Sequence, residues 1–410
     1  MTKRIFWLST LTALMLLALI VVSFPAAAQS GDDFFATSTV APSPTNNGGG
    51  AQWEIKASTF SSQFPKGFTF TLEATSTGGK LVSAAAVWRH SPVGSRIRRI
   101  AQIDESGTQA TAIWEAAPGS SVPQWAGVEY WWVLEDASGN IYETEHQFDE
   151  YADNTRNWSR LESEDIIVFW QQGVPDEIGE MTIQAMAKQR QFYKDHWNVG
   201  LGYKPRAIVY ANFDTWSEWA PGRGTSGGGV ITVGQTSETW GSTAQVYDPF
   251  IQPVDEIAQN TIPHEIAHLY QFANGTTSGD RWFVEGNATY FELTTAATSL
   301  RRVRRLIAAG NLPSLQDGGP GGREAYDVGF TWWQWLIETY GVQAHRDIWA
   351  LIKQGVAMRE AILRVTGLNF LDSEVAWRNW LGVTEPIPTA LPTLPLILPP
   401  TPTYPSTPSN

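Results

Sequence analysis

Along the first third of the chain, hydrophobic and polar positions alternate. In Phe68–Ala74, the residues Phe68, Phe70, Leu72 and Ala74 are apolar, while Thr69, Thr71 and Glu73 between them are polar. A period of two is the pattern of a strand with one buried face. Similar runs follow in LVSAAAVW, RIRRIAQI, QATAIWEA and EYWWVLED, all between Trp53 and Asp149. They are bounded by Gly, Pro, Ser or Asp, as in the turn signal DASGN.

After residue 150 the period changes. Ile166–Trp170 (IIVFW) is apolar throughout and reads as a buried strand. Pro175–Trp197 carries Ile178, Met181, Ala185 and Phe192 towards one face, the spacing of a long helix. PRAIVYANF is a second strand. The glycine-rich GTSGGG leads into a third at Val230–Val233, and beyond residue 255 nearly everything to Leu381 reads as helix. Strands followed by helices predict an α+β chain. Its N-terminal part, residues 51–150, is expected to be an immunoglobulin-like or fibronectin-like β-sandwich. Residues 151–384 are expected to form a second domain, with a mixed sheet and a helical C-terminal lobe whose core holds Trp332, Trp333, Trp335, Trp349, Trp377 and Trp380.

The two ends have other compositions. Lys3 and Arg4 precede an apolar run from Ile5 to Val22 and then Ala26-Ala27-Ala28, which predicts a secretory signal over residues 1–28 and a secreted or cell-surface protein. An uncleaved anchor is the alternative, since the run is long enough to span a membrane. Residues 29–50 read as a flexible linker and the proline-rich residues 385–410 as an extended tail. The net charge of -13 argues against nucleic acid or an anionic membrane as the partner. With no cysteine, neither disulfides, thiolate metal ligands nor a thiol nucleophile is available.

The chemistry concentrates in Thr261–Phe272, TIPHEIAHLYQF. On a helix, His264 and His268 at i and i+4 leave one face one turn apart, so both imidazoles can meet one zinc ion. Asn260 and Thr261 read as caps and Pro263 as a first-turn residue, with Ile266, Leu269 and Tyr270 towards the core. Downstream, RWFVEGNATYFE offers Glu285 as the third ligand on a returning helix, with Glu292 as the competing ligand. Two imidazoles and one carboxylate leave zinc an open position, the arrangement of catalytic rather than structural sites. One zinc per chain is therefore expected.

HEIAH followed by WFVEGNATYFE resembles the gluzincin zinc metallopeptidases, the clan of thermolysin and the leukotriene hydrolase/aminopeptidase enzymes. It is most similar to their small peptidase MA-like relatives, over about residues 166–381. The resemblance implies a hydrolase of peptide bonds acting on a polypeptide substrate. In it Glu265 is the general base and Tyr326, in the segment Tyr326-Asp327-Val328-Gly329, stabilises the transition state. The strand before the zinc helix would be the sheet edge along which substrate extends. The chain departs from the aminopeptidase branch, whose amine-binding glutamate has no counterpart in GGGVITVGQTSETW before Glu238. That departure favours internal cleavage. A non-catalytic binding or adhesion protein with the same fold, and a zinc hydrolase of a non-peptide substrate, are the alternatives.

Overall fold

The computed structural model describes residues 50–91, 93–117, 122–218, 233–275, 279–384 and 387. The signal over 1–28, nearly all of the linker and tail, and residues 230–232 of the expected third strand lie outside the described residues.

Among the described residues the alternating region forms nine strands: β1 (Trp53–Ser62), β2 (Gly67–Ser76), β3 (Leu81–Ser91), β4 (Ile97–Ile100), β5 (Gln102–Ile103), β6 (Gln109–Glu115), β7 (Gly127–Asp136), β8 (Ile141–Glu143) and β9 (Gln147–Glu150). One antiparallel sheet has the order β1-β2-β6-β5; the other has β4-β3-β7-β8, with β9 also on β7. Phe68, Phe70, Leu72 and Ala112 of the first sheet share a core with Ala84, Trp88, Val128 and Trp132 of the second. The alternation thus marks the inner faces as read. RIRRIAQI is two strands rather than one: β4 pairs with β3, but β5 pairs with β6 in the opposite sheet. All four residues of β4 are exposed, and Ala101 between the two strands is partly buried.

The second sheet system comprises β10 (Trp158–Glu162), β11 (Ile167–Gln171), β12 (Arg206–Tyr210), β13 (Gly234–Ser237) and β14 (Ser242–Val246), in the order β10-β11-β12-β14-β13. The pairs β11/β12 and β12/β14 are parallel and the outer pairs antiparallel, so the sheet is mixed as expected. Helix α1 (Glu177–His196) covers one face through Ile178, Met186 and Tyr193. The other face meets the N-terminal region, where the Trp125 ring stacks on Phe169 at 4.5 Å. Both faces of β11 are therefore buried, which is why its sequence shows no alternation. A short helix α2 (Phe213–Ser217) follows β12.

The remainder is helical: α3 (Val254–Glu256), α4 (Ile262–Asn274), α5 (Arg281–Tyr290), α6 (Ala296–Ala308), α7 (Gly322–Tyr340), α8 (Val342–Lys353), α9 (Met358–Thr366) and α10 (Phe370–Trp380). Trp332, Trp333, Trp335, Trp349 and Trp377 are buried in the lobe, whereas Trp380 is 36% exposed and stands outside its core. Asn260 and Thr261 do not cap α4. A π-helical turn, Ile257–Thr261, runs from α3 straight into α4, and neither Thr261's side chain nor its backbone angles are those of a cap. The cause is Pro263, which has no N–H to continue the helical ladder. The carbonyl of Gln259, which that N–H would have engaged, instead accepts from the Leu293 N–H at 3.0 Å, and Asn260 Oδ1 accepts from the Thr294 N–H at 3.0 Å. These two bonds fix the chain just beyond α5 against the start of α4.

Candidate metal centre

Helix α4 buries Ile266, Leu269 and Tyr270 in the lobe core, which leaves its histidine face towards α5. The antiparallel return brings Glu285 Oε2 to 3.2 Å from His264 Nε2 and 3.5 Å from His268 Nε2. The three ligand atoms lie within 4.8 Å of one another. Ligands at about 2.0–2.1 Å around a tetrahedral ion stand about 3.3–3.4 Å apart, so the two measured separations are tetrahedron edges. The far nitrogens are occupied. His264 Nδ1 is 2.9 Å from Glu292 Oε1, and His268 Nδ1 is 2.8 Å from Gln271 Oε1. Gln271 in turn donates to Val284 O and Asn287 Oδ1, at 2.9 and 3.0 Å. Each ring is thereby oriented with Nε2 inward, as metal-binding imidazoles are held. The donor set and its spacing fit zinc.

Glu292, the competing ligand in the sequence, sits behind His264 and away from the converging atoms. It reaches that place because the Gln259–Leu293 bond pins the residue next to it. Without a metal, the carboxylates bring protons instead. Burial pushes the His264 imidazole down, but hydrogen bonds to Glu285 and Glu292 outweigh it and hold its pKa at about 10. Burial pushes Glu285 up, and its bonds to the two histidines bring it well below the usual carboxylate range. The unprotonated forms of His264, His268 and Glu285, at this spacing, are the ones a divalent cation binds.

Glycines set the helix spacing. Gly286 follows the third carboxylate and Gly329 lies near the start of α7, and the two helices cross at these residues. A methyl group on Gly286 would overlap the Gly329 backbone, and one on Gly329 would overlap the Trp282 carbonyl. This close crossing carries Tyr326, one turn before Gly329, onto the site. Its ring lies 5.6 Å from that of His264, nearly parallel at 23°. We expect Gly329→Ala to force α7 away from α5, costing about 1–3 kcal/mol. Thermal melting and bound zinc per chain check it: both should fall, whereas a change in melting alone would separate the crossing from the site.

Two adjoining depressions, of about 410 and 360 Å³, open beside the three ligand atoms. Glu265, Gly234, Arg281 and Tyr326 line both. Thr236 Oγ1 on the edge strand β13 donates to Glu265 Oε2 at 2.6 Å, holding that carboxylate at the cleft. The edge strand begins at Gly234, just beyond the span read from the sequence, because Gly234–Ser237 is the segment that pairs with β14. Burial, followed by the charge of Glu285, pushes the Tyr326 phenol up to about 12, so it keeps its proton. Three residues that line the cleft, Glu256, Arg281 and Arg323, are not singled out by the sequence pattern. Arg281 and Arg323 have only their first-turn positions on α5 and α7 as a signal.

The chain matches no protein-family model and no curated protein. Among solved structures, yeast LTA4 hydrolase in complex with bestatin aligns at 12% identity and a TM-score of 0.34, and native yeast LTA4 hydrolase at 11% and 0.32. Both alignments cover 83% of this chain and 69% of that one. The reading of the site rests on its own geometry.

Proposed function

We propose that the protein is a secreted zinc metallopeptidase of gluzincin type, its catalytic domain preceded by an immunoglobulin-like β-sandwich. The convergence of His264 Nε2, His268 Nε2 and Glu285 Oε2 beside an unligated glutamate, Glu265, carries this reading. Zinc held there would polarise a carbonyl as a Lewis acid and lower the pKa of a water. Glu265 takes the proton from the attacking water and later gives it to the leaving amine. Tyr326 donates its O–H to the carbonyl oxygen as that oxygen gains charge. An extended polypeptide adds to β13, the last strand of the sheet among the described residues, by main-chain hydrogen bonds, which read no particular side chain. Nothing in that mode needs a free amino terminus, so internal cleavage follows.

Glu256 favours a second reading. Its carboxylate lines the cleft and is engaged by Asn260 Nδ2 at 2.8 Å, and it could take the α-amine of a substrate. One experiment separates the two. Zinc per chain and cleavage of an unbiased peptide library are measured with free and with N-acetylated peptides. About one zinc and nearly equal rates are expected. Abolition by acetylation would move the assignment to removal of N-terminal residues, and absence of both zinc and cleavage would leave the non-catalytic binding protein.

A further inference from the structure

Two arginines flank Tyr326 at the cleft. Arg281 stands in the first turn of α5 and Arg323 in the first turn of α7, and each guanidinium carbon lies 5.6 Å from the centre of the Tyr326 ring. Both line the depression that holds His264 and Glu265. Helix stability does not explain them, because a cation in a first turn opposes the helix dipole. Local pairing does not use them up either. Arg281 Nη2 donates one long bond, 3.3 Å, to Tyr326 Oη, and its Nε stays 3.9 Å from Glu285. Arg323 Nε is 3.6 Å from Asp327, whose other oxygen already accepts from Ser299 and Arg302. A guanidinium has five N–H donors. Both side chains remain reachable, at 39% and 53% exposure.

We propose that Arg281 and Arg323 recognise a carboxylate on the substrate, so that the cleft prefers peptides with an acidic side chain or a free C-terminal carboxylate close to the bond that is cut. The proposal rests on the peptidase reading and narrows it to a substrate class. The planar fork of arginine matches a carboxylate in two parallel bonds, a geometry that lysine or a hydroxyl does not offer. Two such forks beside one phenol form one cationic spot in a cleft whose other charged lining, Glu256, Glu265 and Glu292, is acidic, on a chain of net charge -13. That spot draws an anionic group of an otherwise uncharged peptide to one end of the cleft and so fixes its register. The arginines of RRVRR make the contrast: Arg301, Arg304 and Arg305 are exposed on α6 and line no part of this cleft.

Binding is measured by calorimetry with zinc-loaded, full-length Glu265→Gln protein, so that peptides are bound without turnover. Matched peptides differ only by Asp or Glu against Asn or Gln, or by a free against an amidated C-terminus. Those two arms tell side-chain recognition from terminal recognition. At least one acidic form should bind about tenfold tighter than its neutral match, with the difference shrinking as salt is raised. Adding Arg323→Gln should remove most of the preference, and adding Arg281→Gln the rest, while Arg304→Gln should leave it in place. Should the Arg281 variant fold poorly by thermal melting, the Arg323 variant decides alone. Equal affinity for all matched pairs, or a preference that survives both substitutions, overturns the proposal. Peptides bound with acidic preference by the variant but left uncut by wild-type protein would count against the peptidase reading and not against the arginines.

Discussion

Glu265→Gln should lower peptide hydrolysis by about 10²–10⁴-fold while leaving zinc binding and the fold as they are. Water attacks an amide carbonyl only as it loses a proton, and something in the cleft must accept that proton. Glu265 is the carboxylate placed for it: it lies at the cleft, is 8% exposed, and does not belong to the group of three converging ligand atoms. Thr236 donates to one of its oxygens, which aims the side chain and leaves the other for the water. A glutamine has the same shape and still accepts from Thr236, so the variant changes basicity and little else. Loss of a general base costs about 10²–10⁴-fold in rate. Zinc per chain should stay at about one, because His264, His268 and Glu285 are untouched. Hydrolysis equal to that of wild type would remove Glu265 from the mechanism. Loss of zinc together with activity would show that the glutamate acts on the metal rather than on water.

The parts of this site that were legible in the sequence are those governed by helix period. His264 and His268 had to share a face because they are four apart on a helix, and Glu285 could return only on an antiparallel neighbour. What could not be read depends on chain segments meeting across the fold. Gln271 is an ordinary polar helix residue until its amide is seen between His268 and Val284. Asn260 and Thr261 have the composition of caps, yet Pro263 diverts the helix into a π turn and turns Asn260 into a clamp on Thr294. Arg281 and Arg323 belong to different helices and come together only because Gly286 and Gly329 allow those helices to touch. The same balance holds in the β region. Alternation located the inner faces of the long strands, but not the exchange between sheets at RIRRIAQI, where Arg98-Arg99 and Ile100-Ala101 break the period and the first strand is exposed at all four residues.

Tyr326→Phe tests the other half of the chemistry. As water adds to the carbonyl, negative charge grows on the carbonyl oxygen, and a donor already in place stabilises that charge more than it stabilises the substrate. The phenol meets the requirement on three counts. It lines the cleft with Glu265 and His264, its ring is fixed by the His264 imidazole and by two guanidinium groups, and its raised pKa of about 12 keeps the O–H available as a donor. Arg281 bonded to the same oxygen accepts none of that proton and supports the charge that develops beyond it. Removing the hydroxyl should lower kcat by about 10²–10³. KM and zinc content should hardly move, because neither ground-state binding nor ligation uses the group. The ring remains in the variant, so its stacking on His264 and the packing of α7 against α5 survive and the melting temperature should stay close to that of wild type. A variant that keeps its rate but melts earlier would make Tyr326 a packing residue and place the oxyanion donor elsewhere.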